Sequence, residues 1–167
     1  MGCLGVHFAL TDAQVKKVRS FGGDEDRLEY VQEKLEEELL GSDSDRAFET
    51  DKAWDAIHRS LTDGNLTYDN GEYPLSHVIM GGDPLYFEDG YIISLKTPAQ
   101  VRDIAKALER VTEERLRSCY RLINPEMYGS ELTDEGFEYT WGNFQGLPEF
   151  YARAAEANLF VLFTADQ

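Results

Sequence analysis

The stretch Leu4-Gly5-Val6-His7-Phe8-Ala9-Leu10-Thr11-Asp12-Ala13-Gln14 reads as a strand that turns directly into a helix. Val6, Phe8 and Leu10 alternate with the two-residue period of a strand, which puts His7 and Ala9 on the opposite face. Thr11 and Gln14 stand three apart, so the Thr hydroxyl can accept from a free helical amide while the Gln side chain reaches back to the capping residue. The spacing predicts a strand over residues 4–10 and a helix over 12–20. Both signals recur. Tyr91, Ile92 and Ile93 read as a buried strand over 90–95, and Thr97-Pro98-Ala99-Gln100 repeats the cap with proline at the first helical position. A third apolar run, residues 159–163, follows a helix at the end of the chain. These strands, separated by helices, predict an α+β domain spanning 1–167. Its small central mixed β-sheet would hold N-terminal, middle and C-terminal strands, packed by several amphipathic helices.

Leu28, Val31, Leu35 and Leu39 recur at spacings of three and four, which predicts an amphipathic helix from Asp24 to Gly41 with Glu33, Glu36, Glu37 and Glu38 outward. Residues 42–46 read as a polar loop. A helix capped by Thr50 or Asp51 is expected to run through Leu61, with Ala53, Trp54, Ile57 and Leu61 on its inner side. From there to Pro84 the chain carries turn residues, including Tyr73-Pro74 and Gly81-Gly82-Asp83-Pro84, with a short helix over 75–80. Further helices are expected after Pro98, over 112–123 until Asn124-Pro125 stops the run, and over 148–157. The stretch 137–144 fits both periods and is taken as helix.

The 167 residues suffice for one core, and a hydrophobic fraction of 42% argues against disorder despite the charge. Sixteen Lys and Arg stand against 32 Asp and Glu, a net charge of −16. Such a field repels phosphate backbones and anionic lipid and attracts basic partners, so a basic protein is the expected partner, with no nucleic acid and no membrane. Cys3 and Cys119 are too few for a disulfide framework or a clustered zinc site and are expected as buried thiols. The start lacks the basic and apolar regions of a signal peptide, and Val6 stands where myristoylation needs Ser or Thr. A cytoplasmic setting is expected. Phosphate-cradle, dinucleotide and nucleophile-elbow motifs fail, as does a calcium loop begun at Asp63, where Tyr68 takes the required glycine position. No cofactor and no stoichiometric metal are expected.

Chemistry is best sought on the helix after Asp51. At 100° per residue Asp51, Asp55 and His58 would project within about 60° of one another, a face able to take up a proton or a divalent cation. The same residues also fit an ordinary polar flank, with Asp51 at the helix N-terminus and Asp55 paired to Arg59. His77 lies in the turn-rich stretch, where a cleft shared with His58 is conceivable. Phe137, Tyr139, Trp141, Phe144, Phe150 and Tyr151 form an aromatic set that is mostly core by expectation, with Trp141 the candidate anchor for a partner. The candidate surface is therefore Asp51, Trp54, Asp55, His58, His77 and Trp141. Three function classes compete. One is a non-enzymatic acidic protein-binding domain, of the kind that neutralises a toxin. Another is a small-molecule or metal-dependent enzyme using the Asp51/Asp55/His58 face. A third is a domain acting through self-association.

Three stretches carry a family likeness: Met1-Gly2-Cys3-Leu4-Gly5, then Asp51-Lys52-x-Trp54-x-x-x-His58-x-x-Leu61-Thr62, then Pro74-Leu75-Ser76 ahead of Gly81. With the C-terminal helix and apolar strand, the sequence resembles the YfbM-like family, stand-alone bacterial proteins of unknown function, over essentially its whole length. The resemblance implies a single cytoplasmic α+β domain and brings no catalytic residues with it.

Overall fold

The first cap forms as its spacing predicts. The Gln14 amide donates to Thr11 Oγ1 at 3.2 Å and the Thr11 amide donates to Gln14 Oε1 at 2.9 Å, so β1 (Gly5–Leu10) passes into α1 (Asp12–Arg19) across one residue. The structure, a computed structural model, describes residues 4–41 and 44–166. The expectations placed on Met1-Gly2-Cys3, including the buried Cys3 thiol, and on the first loop residues 42–43 lie outside the described residues. Cys119 is a half-buried free thiol rather than a fully buried one.

Next come α2 (Asp24–Tyr30), a π-helical turn over Val31–Leu35 and α3 (Glu36–Gly41), which run on as one rod. Two successive spacings of four carry an apolar stripe round an α-helix by about 80° at 100° per residue. The wide turn absorbs that drift and keeps Val31, Leu35 and Leu39 buried on the sheet. It also corrects one expectation: Glu36 is half-buried and turned toward the sheet, while Glu33, Glu37 and Glu38 face outward.

β2 (Ala47–Asp51) takes in Thr50 and Asp51, expected as a helix cap, and begins directly after the stretch expected as a polar loop. Thr50 is buried in that strand, and α4 (Trp54–Leu61) starts three residues past Asp51 with Ala53 as its cap. β3 (Asp83–Glu88) likewise begins in the Asp83-Pro84 stretch read as a turn. Both are edge strands, the position in which Pro84 is tolerated. β4 (Tyr91–Lys96), α5 (Pro98–Leu108), α6 (Glu113–Tyr120), α7 (Pro125–Tyr128), α8 (Asp134–Phe144), α9 (Leu147–Glu156) and β5 (Phe160–Asp166) follow. The ambiguous 137–144 stretch is helical, whereas α6 ends at Tyr120, short of the expected stop at Asn124-Pro125, which instead caps and opens α7.

The sheet has the order β2-β1-β5-β4-β3. The three strands read from the sequence form its centre. All four pairings are antiparallel, so the mixed sheet is corrected: β5 inserts between β1 and β4 and runs against both. Both faces are covered. Val6, Phe8, Leu10, Ile93, Leu95 and Leu162 pack under α1–α3, while Ala9, Ile92, Val161, Phe163 and Ala165 pack under α4–α9. A sheet covered on both sides has no solvent face for its alternate residues, and every residue of β1 and β4 is buried.

Candidate functional site

The helix face built on Asp51, Asp55 and His58 is not assembled. Asp51 belongs to β2, holds φ 48°, and accepts from the Tyr139 hydroxyl at 2.7 Å. That hydroxyl, held up to about 12 first by burial and then by Asp51, also accepts the Lys52 amide of the chain leaving edge strand β2. Asp55 pairs with the nearly buried Arg59 at 2.6 Å, and Arg59 reaches on to the carbonyls of Gly64 and Met127. This pair fixes the loop after α4 to α7.

His58 is fully buried and organises a loop. Its Nε2 meets the Thr67 carbonyl at 2.8 Å and Asn70 Oδ1 at 2.7 Å, two acceptors, so Nε2 carries the hydrogen. Asn70 in turn donates to Thr62 Oγ1 and the Asn65 carbonyl, tying 62–70 together. Burial lowers the His58 pKa, against those two bonds. His77 sits in the 3₁₀ turn Leu75–His77, half-buried, edge-on to Tyr73 at 5.0 Å, with Nδ1 2.9 Å from Ser76 Oγ. His58 is thus engaged by the 62–70 loop and His77 by Tyr73 and Ser76. Trp54 is a core residue at 2% exposure, and Trp141 is half-buried in a stack between Phe137 and Phe144. Of the aromatic set, Phe137, Phe144, Phe150 and Tyr151 are core and Tyr139 is exposed.

Two constellations were not read from the sequence. The first is buried under α4–α9. His7 Nε2 donates to the Val78 carbonyl at 2.9 Å and the Tyr151 hydroxyl donates to the same oxygen at 2.6 Å. Lys96 Nζ donates to the Ile79 carbonyl and to Ser94 Oγ at 2.8 Å. Desolvation pushes the His7 pKa down to about 3, drives Lys96 well below the usual lysine range and raises Tyr151. A charge on Lys96 would lower the pKa of each of the three histidines of the chain, His7, His58 and His77. The signal was present: in β4, Ile92, Ser94 and Lys96 fall on one face by alternation, and Lys96 is an inward lysine.

The second is a groove of about 310 Å³ between the π-turn rod and the sheet. Its floor is Leu4, Val6 and Leu40, with Leu4 41% and Leu40 48% exposed, and Glu36, Glu49 and Asp166 rim it with no Lys or Arg in the lining among the described residues. Glu36 Oε1 accepts from the Tyr91 hydroxyl at 2.7 Å and from Thr164 Oγ1 at 3.3 Å. Burial, then repulsion from Asp166, raises the Glu36 pKa against those bonds. Another aromatic-acidic surface, Phe21 and Tyr30, is already covered by Lys17, whose Nζ lies 5.4 and 6.0 Å from the two rings.

A family described as a domain of unknown function, DUF1877, matches residues 1–164. The chain belongs to that family. Its fold is similar to the crystal structure of a protein of unknown function, YfbM from Escherichia coli, with a TM-score of 0.70 at 19% identity, covering 97% of this chain and 99% of that one. The YfbM-like resemblance read from the motifs is therefore shown at the level of family and fold. No curated protein matches. Within the DUF1877 chain described here, no group of three or more His, Cys, Asp or Glu stands close enough to hold a metal ion among the described residues. No helix among them is long and apolar enough to cross a membrane.

Proposed function

We propose that the protein is a binding domain for a basic segment of another protein, seated in the groove between the π-turn rod and the sheet. The observation that supports this reading is the groove itself: an apolar floor of Leu4, Val6 and Leu40 under three carboxylates, with no basic residue in the lining among the described residues. A lysine or arginine side chain buries its alkyl stem on such a floor and sets its charge among the acids. The −16 net charge adds a long-range field that speeds encounter with a cationic partner. The anchor expected at Trp141 moves to Leu4 and Leu40, because Trp141 is committed to its stack. Neutralisation of a basic toxin is one form of this reading.

The test uses a defined probe, a fluorescent peptide alternating Lys and Leu, beside the same peptide with Glu for Lys. The Lys peptide is expected to bind, to weaken as salt rises because exposed charges are screened over ~8 Å at physiological ionic strength, and to lose affinity about tenfold in Glu49→Lys and Asp166→Lys, a change of ~1.4 kcal/mol. Glu36 is left intact because it holds Tyr91 and Thr164. Charge reversal of the distant Glu113 and Glu114 is the control. Equal binding of both peptides, or equal loss in groove and control variants, overturns the proposal.

A further inference from the structure

The buried polar side chains of the α4–α9 face converge on one short piece of irregular backbone. His7 from β1 and Tyr151 from α9 both donate to the Val78 carbonyl, and Lys96 from β4 donates to the Ile79 carbonyl. His7, Ser94, Lys96 and Tyr151 are each 0% exposed. Residues 78–82 belong to neither a helix nor the sheet, and their own ties are the Val78 amide to the Leu75 carbonyl and the Gly81 amide to the Ser76 carbonyl. Gly82 closes the segment onto β4. At φ 129° its missing Cβ would fall 2.5 Å from the Leu95 carbonyl, so the backbone lies directly over the base of the Lys96 side chain.

The surroundings of Lys96 contain hydrogen-bond acceptors and no anion. From β4 comes the Ser94 hydroxyl, from β5 the Phe163 ring at 5.3 Å, from β1 His7, from α9 Tyr151, from the 3₁₀ turn His77 and from α4 His58. Among the described residues no carboxylate is close enough to act on its charge. A neutral amine has two N–H groups, and the Ile79 carbonyl and Ser94 Oγ take both. A proton adds a third donor and a full charge with no counter-ion, a combination that buried sites do not tolerate without water.

We propose that residues 78–82 are a latch on the sheet face, and that proton uptake by Lys96 releases it. Val78, Ile79 and Met80 are themselves core residues, so the segment lies packed against the sheet, and its opening would bring water to the amine and move the Ile79 carbonyl that the amine holds without unzipping a strand. Burial supports the direction, since it weakens the hold of the closed form on the proton. The sign follows. The open form binds the proton more readily than the closed form, so opening grows as pH falls from the ordinary lysine range and levels off once the closed form also takes up its proton. One linked proton changes the opening constant about tenfold per pH unit.

Hydrogen exchange of amides 78–82, corrected for intrinsic rates, tests the latch over a window from about pH 7 to about pH 9.5. This window lies above the ordinary histidine pKa of ~6.5 and below that of tyrosine. The wild-type chain is expected to show opening that rises about tenfold per unit of falling pH, with no such slope in Lys96→Met and no matching slope in the amides of α5. The Lys96 ε-carbon resonance is followed in parallel on the wild-type chain, which keeps the test decisive if Lys96→Met fails to fold. An uncharged amine at about pH 8.5 supports the latch, because an ordinary lysine, with a pKa of ~10.4, is charged there. A charged amine at that pH, a flat profile in the wild type, or a slope that survives in Lys96→Met overturns it.

Discussion

Gly5 and Trp54 explain one another. A Cβ on Gly5 would fall 2.7 Å from the Trp54 ring and 2.8 Å from Thr50 Oγ1, so the indole packs flat against a strand that must lack a side chain at that point. The ring also lies 5.8 Å from Phe163. Two stretches that carried the family likeness thus meet in the core, and His58, four residues on, holds the next loop. Trp54→Ala is expected to cost ~3–5 kcal/mol, the range for emptying a large aromatic site, as read from the denaturant midpoint at unchanged slope. A loss under ~1 kcal/mol would mean that the ring is not core.

At the scale of elements, glycines mark where backbone closes on backbone and where it does not. Gly82 sits at φ 129° against the Leu95 carbonyl, whereas Gly142 stands on α8 with open space around it. Gly82→Ala is expected to destabilise by ~3 kcal/mol, combining a conformation that L-residues avoid with a contact that neither backbone can yield. Gly142→Ala is expected to stabilise by up to ~1 kcal/mol through helix propensity. Thermal melts of the two variants check the contrast, and equal shifts would contradict the close approach of 78–82 to β4. The π-turn Val31–Leu35 is the other element-scale device. It holds an apolar stripe on the sheet and turns Glu36 into the groove with one widened turn.

For the molecule as a whole, a charge of −16 on 167 residues means that acidic surface groups repel one another across the fold. Added sodium chloride screens that repulsion, so the melting temperature is expected to rise from low to moderate salt, as followed by differential scanning calorimetry. A melting temperature that falls over this range would show that surface ion pairs such as Arg117 with Glu113 and Glu138 outweigh the repulsion. By itself the sequence determined the three central strands, most of the helices and both Thr-x-x-Gln caps, because each is a local pattern of period two, period 3.6 or a three-residue reach. It also carried enough of the Gly5, Trp54 and His58 pattern to give the family. The rest depends on neighbours distant in the chain. β2 and β3 exist because β1 and β4 offer them an edge, and against that pairing the cap signal at Thr50 and Asp51 lost. Strand direction, the inward Glu36, and the gathering of His7, Ser94, Lys96 and Tyr151 on two successive carbonyls were decided by the tertiary structure. Their partners lie up to 128 residues away, a separation that local periodicity does not encode.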